Sequence, residues 1–448
     1  MEHQAAYDRF SAKEKRVIVT LVSFTGLIPL FGSGSFIPSI PQIAKDLHST
    51  GEVISLAVSI HVFTGGLITL LWARYSTHYG RRPIYLTALP FSIVGSMGVG
   101  RAQTVLQLMA WRVVQSTGMS GGFSLGAGVI GDLYKLEERG TAMGLFFAAV
   151  LMGPPLAPVA GGLAAHYSSW RVMQYILAVC SLFAFTLLYF LLPETSHPGA
   201  RGMDELPPNK RRNFVLLNPL KSMTLLRSPN LTAVSLAGTL TLITNYFLLV
   251  PLAYTIGKRY NINNEALIGA CFIPSGIGNF IGAPLAGRIS DRIIVKWKTR
   301  RGVWVPEDRL RGTLVGAFFF VPLSVLLSGL VTTYVDGVPG LVANLMLLFM
   351  NGLGVDLVLS PSASYTVDIL HNRSAEGMAA NSFLRGLGLS LAVTSVFPLV
   401  ETLGLAWANT IAALGAWAAA LLLMGTIRHG EAMRNWLDIG YTTWDENN

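Results

Sequence analysis

Long apolar runs separated by short polar segments dominate the pattern of hydrophobic and polar positions along this chain. A membrane-spanning helix needs about 20 predominantly apolar residues. Runs of this kind lie at residues 17–40, 53–73, 84–100, 105–131, 141–165, 171–192, 231–256, 266–287, 312–332, 339–362, 376–400 and 404–426. Only helices and closed barrels satisfy their backbone in lipid, and barrel strands alternate polar and apolar positions. The pattern therefore predicts an all-α membrane protein with twelve transmembrane helices.

The longest polar stretch between apolar runs divides these runs six and six. It predicts an N-terminal six-helix half at 1–192, a cytoplasmic linker at 193–230 and a C-terminal six-helix half at 231–448. The segments ARYSTH (73–78) and GRISDR (287–292) follow the second helix of each half and share Arg and Ser in register. Such paired, pseudo-symmetric halves are typical of one large transporter fold.

Composition and charge support a membrane location. Hydrophobic residues make up 52% of the chain and charged residues 13%, whereas an average soluble protein is about 25% charged. With the N-terminus placed in the cytoplasm, 26 of the 33 Lys and Arg residues fall on the cytoplasmic side, as the positive-inside rule requires. We therefore expect both termini in the cytoplasm, no cleavable signal peptide and no nucleic-acid partner. The two cysteines lie inside apolar runs, so we expect no disulfide framework, metal site or cofactor.

Short motifs spread over nearly the whole chain resemble those of one transporter family. They are FIPSIPQIA (36–44), YGRRP (79–83), WRVVQSTG (111–118), EERGTAMG (137–144), GPPLAPVAGG (153–162), LLPET (191–195), VPEDRLRG (305–312) and SAEGMAANSFLRGLG (374–388). On these motifs the chain resembles the major facilitator superfamily and, within it, the twelve-span drug:proton antiporters of fungi. The resemblance implies alternating access to a substrate site near the membrane midplane, between the two halves.

The motif at 153–162 places helix breakers inside an apolar run. Small residues let helix backbones approach closely in lipid, and prolines are tolerated where neighbouring helices satisfy the freed carbonyls. The stripe and its prolines are Gly153, Pro154, Pro155, Ala157, Pro158, Gly161 and Gly162. The motif resembles the antiporter motif of the family, with Ala157 in place of one glycine. The resemblance implies that the stripe packs the fifth helix against the other half and serves export, whereas the residues alone are equally consistent with tight packing.

The loop between the second and third helices departs from the family motif. Thr77 stands where the family has Asp, and His78 stands where it has Arg, while Arg81 and Arg82 are retained. The second-half copy keeps its acidic and basic residues, Asp291 and Arg292. We hypothesise that the cytoplasmic clasp relies on Asp291 more than on the first loop. Arg81, Arg82, Asp291 and Arg292 are therefore gating candidates, and for the two arginines of the first loop the alternative is a role in topology alone.

Few ionisable residues lie inside the predicted spans, where they are costly and usually functional. Arg112 lies in the fourth span and His61 in the second, while Asp356 and Arg385 lie in the tenth and eleventh. At about 1.5 Å per residue, Asp356 and Arg385 reach similar depths, so they can form an ion pair. This pair is either purely structural, or it breaks when the substrate anion or a proton arrives, which makes both residues candidates for substrate binding or proton coupling. The family resemblance implies proton coupling for Arg112; the alternative is hydrogen bonding to helix carbonyls.

Other polar residues of the predicted spans are candidates for lining the cavity. Histidine changes charge near neutral pH, so His61 is either a coupling group or a satisfied interior residue. The neutral candidates are Gln115, Asn245 and Asn381.

These features predict a secondary active transporter that exports a small organic molecule by proton antiport. Two intraspan arginines against one clear carboxylate favour an organic acid anion. The alternatives are a multidrug or polyamine exporter of the same family and a non-transporting sensor on the same fold, against which the short polar tails count. The sequence has no cluster of His, Asp and Glu at the end of a span, which counts against a membrane-embedded enzyme. We expect a monomer in the plasma membrane, in contact with lipid, substrate and protons.

Overall fold

The computed structural model describes residues 9–134, 142, 146, 149–150, 152–196, 199, 201–204, 215, 217–262, 264–370 and 374–436. The regular structure of these residues is helical, without a strand. The α-helices are α1 (Ala12–Gly34), α2 (Ile40–Asp46), α3 (Gly51–Tyr79), α4 (Arg81–Arg101), α5 (Val105–Met119), α6 (Gly121–Leu133), α7 (Gly153–Tyr167), α8 (Trp170–Leu191), α9 (Pro229–Leu249), α10 (Glu265–Ala270), α11 (Ile273–Arg301), α12 (Val321–Tyr334), α13 (Gly337–Ile369), α14 (Ser374–Leu403) and α15 (Leu405–Trp436). Short 3₁₀ or π segments lie at Ile37–Ser39, Pro219–Arg227, Ala253–Gly257, Pro306–Thr313 and Gly316–Phe320.

Ten helical stretches of the described residues are long and apolar enough to cross a membrane. Helices α5 and α6 are 15 and 13 residues long and are joined through Ser120, whose backbone is helical. Helix α7 has 15 described residues. These three helices fall in the predicted fourth and fifth spans, so the count of twelve stays a prediction.

Polar residues between the apolar runs determine where several helices begin. Ser11 and Glu14 form a capping box at the start of α1. Thr50 accepts from the Val53 backbone N–H at the start of α3, and the Asn264 side chain caps α10. An N-terminal cap satisfies backbone donors that have no intrahelical partner. The helix starts are thus encoded locally, whereas the contacts between helices depend on packing.

Three buried apolar clusters organise the bundle. One cluster joins N-terminal helices (α1–α8) to C-terminal helices (α9–α15) and includes Phe36, Ile54, Phe272 and Phe397. The second cluster, from Ile18 to Leu192, contains only N-terminal buried residues, and the third, from Leu225 to Leu423, only C-terminal ones. We call the end of the bundle where the chain leaves α8 and enters α9 the linker end, and the opposite end the distal end. The two sets of helices share a buried core towards the distal end and have separate cores towards the linker end.

Helices α3 and α14 pack along each other across the boundary between the two sets. A methyl group added at Gly386 would lie 3.0 Å from the Gly66 Cα, so the two backbones touch at this point. Ser59 Oγ donates to the Ser390 carbonyl at 2.7 Å. Near the linker end, Arg74 Nη1 lies 2.9 Å from Glu376 Oε1. The contact between α3 and α14 thus has glycines at its centre and an ion pair at its linker end.

Candidate functional site

Arg112 lies on α5 with 0% of its surface exposed. Its Nε donates to the Ala57 carbonyl of α3 at 3.3 Å, and its Nη1 donates to the Gly32 carbonyl of α1 at 3.1 Å. The guanidinium carbon lies 4.4 Å from the centroid of the Phe36 ring, a cation–π distance. The remaining nitrogen, Nη2, is buried and has no partner among the described residues. Helix carbonyls therefore hold one side of the guanidinium, as the alternative interpretation expects, while a donor for an anion or a carbonyl is left free.

Gln115 orients this arginine from the next turn of α5. Its Oε1 accepts from Arg112 Nη1 at 2.8 Å. Its Nε2 donates to Ser96 Oγ of α4 and to Gln174 Oε1 of α8, each at 2.9 Å. Gln115 is fully buried and Gln174 is 2% exposed. The two candidates Arg112 and Gln115 are therefore brought together, within a network that five N-terminal helices share.

His61 lies on α3 beside this network and is 6% exposed. Its backbone carbonyl accepts from Ser116 Oγ of α5 at 2.6 Å. Its ring Nδ1 is buried without a partner among the described residues. A histidine with a purely structural role in the interior would have hydrogen-bond partners for its ring nitrogens, and Nδ1 has none among the described residues. His61 therefore remains a candidate coupling group.

A second polar network joins the C-terminal helices. Asn245 Nδ2 of α9 donates to Ser275 Oγ of α11 at 3.3 Å and to Asn351 Oδ1 of α13 at 3.2 Å. Asn351 is fully buried, and its Nδ2 donates to Thr244 Oγ1 and Ser324 Oγ at 3.1 and 3.0 Å. Neutral amides and hydroxyls satisfy one another here, so this network holds helices together without a charge.

The ion pair expected between Asp356 and Arg385 does not form in this structure. Arg385 Nε of α14 instead donates to Asn381 Oδ1, one turn earlier, at 3.2 Å. Asp356 of α13 faces α11, where a methyl group added at Gly282 would lie 3.1 Å from the Asp356 Cβ. Asp356 Oδ2 is buried without a partner among the described residues. Similar depth is therefore a poor guide to contact, because Asp356 packs against α11 whereas Arg385 bonds to a residue of its own helix.

The glycine stripe of α7 packs on two different neighbours. A methyl group at Gly161 would lie 2.0 Å from the Ser35 carbonyl, and one at Gly153 would lie 2.7 Å from Leu30 Cβ, both in the N-terminal set. A methyl group at Gly162 would lie 2.4 Å from the Glu265 carbonyl of α10.

Pro158 also belongs to the contact between the two sets, because its carbonyl lies 2.7 Å from the position of a Gly269 Cβ. Only part of the stripe therefore meets the C-terminal helices, in contrast to the expectation for the whole motif. The side chain of Pro154 and most of residues 137–144 lie outside the described residues.

The loop between α3 and α4 obtains its carboxylates from elsewhere in the sequence. Arg81 Nε lies 2.9 Å from Asp132 Oδ2 of α6. Glu194, in the segment LLPET, accepts from the backbone N–H groups of Arg81 and Arg82 at 2.9 and 3.2 Å. A carboxylate is favourable at a helix N-terminus, where backbone N–H groups lack partners. Glu194 therefore supplies a charge near the position where Thr77 replaces the aspartate of the family.

Asp291 is the weaker anchor of the two loops. Its Oδ1 lies 3.3 Å from Arg309 Nη1, and its side chain is 71% exposed, whereas the side chains of the Arg81–Asp132 pair are 16% and 18% exposed. Arg309 Nε also lies 2.7 Å from Asp368 Oδ2. Arg292 is exposed. Because solvent screens exposed pairs, the hypothesis that the clasp relies chiefly on Asp291 does not agree with this geometry.

Comparison with known proteins identifies the family. Residues 22–393 match the model of the Major Facilitator Superfamily. The chain belongs to the major facilitator superfamily. This match confirms the predicted all-α membrane fold and the family resemblance, and it establishes a multi-pass integral membrane protein of a transporter superfamily.

Similar curated proteins are fungal transporters of this superfamily. The MFS antiporter QDR3 of Candida albicans is 23% identical, over 98% of this chain and 81% of its own length. The efflux pump radE of Floropilus chiversii is 26% identical over 93% of this chain and 80% of its own length. The MFS-type transporter tndD of Aspergillus flavipes is 28% identical over 96% and 83%. The names of these relatives support a membrane transporter.

Several polar and charged residues at these sites were not predicted from the sequence. Gln174, Asn279 and Asn351 are polar residues inside predicted apolar runs, the same signal that selected Gln115 and Asn245. Glu194 and Glu376 lie in recognised motifs, but their partners are distant in sequence, so only the fold reveals their contacts.

Proposed function

We propose that this major facilitator superfamily protein exports a small organic anion by proton antiport. The observation that carries the proposal is the fully buried guanidinium of Arg112, which has a free Nη2 donor and no ion pair among the described residues. A buried charge is costly unless it is paired or hydrogen-bonded. A carboxylate ligand reaching Nη2 removes this cost through a charge-assisted hydrogen bond.

Alternating access between two six-helix halves is the mechanism that suits the packing. The shared core towards the distal end closes that end, while the separate cores towards the linker end meet mainly along α3 and α14. The glycine contact of Gly66 with Gly386 allows two backbones to slide or rock with few side chains in the way. We place the linker end and both termini in the cytoplasm of a plasma-membrane protein, because the Lys and Arg residues concentrate on that side.

Reconstituted vesicles test this proposal. Vesicles with an acidic interior receive labelled di- and tricarboxylates, with spermidine and a quaternary ammonium drug as cation probes. Antiport accumulates an organic acid inside while protons leave, although passive distribution of a weak acid favours the alkaline side. Accumulation of spermidine or the drug alone would show the multidrug or polyamine alternative, and absence of all accumulation would show that proton antiport is wrong for these substrate classes.

Arg112 variants connect the flux to the site. Arg112→Ala is expected to reduce carboxylate accumulation by about 100-fold, the equivalent of about 3 kcal/mol for a lost charged hydrogen bond. Arg112→Lys keeps the charge without the planar donor geometry, so its carboxylate accumulation is expected to lie between that of the wild type and that of Arg112→Ala. Fluorescence-detected size-exclusion chromatography checks that each variant is folded. Wild-type flux in Arg112→Ala would remove the assignment.

A further inference from the structure

Two buried oxygen atoms on facing C-terminal helices lack hydrogen-bond donors. They are Asp356 Oδ2 on α13 and Asn279 Oδ1 on α11, and neither has a partner among the described residues. Buried polar atoms are normally satisfied, so each exception needs an explanation. Here both exceptions are acceptors, and what is missing from the pair is therefore a hydrogen.

The packing of α11 on α13 places the two side chains on one contact face. A methyl group at Gly352 would lie 2.9 Å from Asn279 Oδ1, and one at Gly282 would lie 3.1 Å from Asp356 Cβ. Asp356 lies one helical turn after Gly352, and side chains of a helix tilt towards its N-terminus. The carboxyl therefore leans back over the turn where Asn279 lies.

The same packing leaves no room for an organic cation between these helices. A methyl group at Gly278 would lie 2.3 Å from the Phe349 carbonyl, and one at Gly352 would lie 2.1 Å from the Ser275 carbonyl. An ammonium group with its carbon chain is larger than a methyl group, whereas a proton needs no space.

Charged groups on the neighbouring elements pair elsewhere or lie without an ion pair to Asp356. Arg309 of the segment before α12 pairs with Asp291 and Asp368, and Arg385 of α14 donates to Asn381. The other charged side chains of the described elements packed on α13 make no ion pair with Asp356 within 4 Å. They are Arg288, Arg292, Lys296, Lys298, Arg300 and Arg301 of α11, Glu307, Asp308 and Arg311 of the segment before α12, and Glu376 and Glu401 of α14.

We propose that Asp356 and Asn279 form the proton-binding site of the antiporter, with Asp356 as the proton carrier and Asn279 as its positioning residue. This inference rests on the proposed proton antiport. On binding, the carboxylate forms an O–H bond with a proton from water, and this O–H donates to Asn279 Oδ1. On release, the O–H bond breaks, the electron pair stays on the carboxylate, and the proton returns to water. Asp356 is partly exposed as a residue although its Oδ2 is buried.

Infrared difference spectroscopy of the purified protein tests this site without substrate or gradient. Lowering the pH is expected to produce a carboxylic-acid C=O band that Asp356→Asn abolishes. Asn279→Leu removes the hydrogen-bond acceptor and is expected to shift this band to higher frequency. Asn409→Leu is the matched control, because Asn409 Oδ1 of α15 is likewise buried and without a partner among the described residues; it is expected to leave the band unchanged.

The outcomes separate this inference from the proposed function. A band insensitive to Asp356→Asn, or unmoved by Asn279→Leu, would overturn the proton-binding pair. If Asn279→Leu fails to fold, Asn279→Ala gives the same reading with a smaller side chain. A band that behaves as expected in a protein that accumulates no solute in acidic vesicles would leave the proton site standing and contradict the proposed antiport.

Discussion

The N-terminal and C-terminal helices each bury a polar network, and the two networks differ in what they leave unfilled. Arg112, Gln115 and Gln174 form a charged network that leaves a donor, Arg112 Nη2. Around Asn245 and Asn351 the network is neutral, and beyond it Asp356 Oδ2 and Asn279 Oδ1 are free acceptors. A donor suits an anion, whereas an acceptor suits a proton. This difference indicates that the substrate anion and the proton can bind in separate sets of helices.

The largest stability difference is expected between Gln115→Leu and Asn351→Leu. Gln115→Leu removes the acceptor of a buried guanidinium and two neutral bonds, which costs about 3 kcal/mol or more, since bonds to charged groups are worth about 1.5–3 kcal/mol. Asn351→Leu removes three neutral bonds, worth about 2 kcal/mol at the modest value of bonds in membranes. Thermal unfolding in detergent compares the two variants. Equal destabilisation would contradict the distinction between a charged and a neutral network.

Gly66 and Gly386 lie on the line along which the two sets of helices meet. Gly66→Val places side-chain atoms against the Ser382 carbonyl and the Gly386 Cα, which a Cβ alone would approach to 3.2 and 3.1 Å. Separating two packed backbones typically costs about 1–3 kcal/mol, so transport is expected to fall about tenfold. Gly425→Val is the control, since nothing lies within 4 Å of a Cβ there. Unchanged flux in Gly66→Val would show that this contact does not limit the motion.

The smallest effect is expected at the ion pair of Arg74 with Glu376. Each side chain is 24% exposed, and partly exposed pairs contribute about 0.2–1 kcal/mol. Arg74→Gln is expected to make the linker end easier to open, which raises the labelling of a cysteine introduced at that end. The background for this assay is simple, because the chain has two cysteines. The exchange Arg74→Glu with Glu376→Arg should restore the wild-type labelling rate; failure to restore it would show that the pair is not the latch.

The fold was more predictable than the site because apolar runs report burial in lipid directly. The runs at 53–73 and 339–362 lie within α3 (Gly51–Tyr79) and α13 (Gly337–Ile369). Arg112, as a charge inside a span, and Gln115, as a polar residue of the same span, are visible in the sequence, and the structure brings them together. The expected pair of Asp356 with Arg385 failed because depth fixes only one coordinate, and the direction of a side chain depends on which helix packs beside it. Asn279 is one of several neutral polar residues in the apolar runs, and its free oxygen is visible only once α11 lies against α13.

Gradient-driven accumulation compared with exchange in the same vesicles tests the separation of cargo and proton most directly. Asp356→Asn mimics the protonated acid, since its amide can donate to Asn279 Oδ1 as the O–H does. The account predicts that this variant still exchanges labelled for unlabelled organic acid at equal pH, but no longer concentrates it when a pH difference is imposed. Arg112→Ala should lose both activities. Uphill accumulation by Asp356→Asn, or undiminished exchange by Arg112→Ala, would contradict the account.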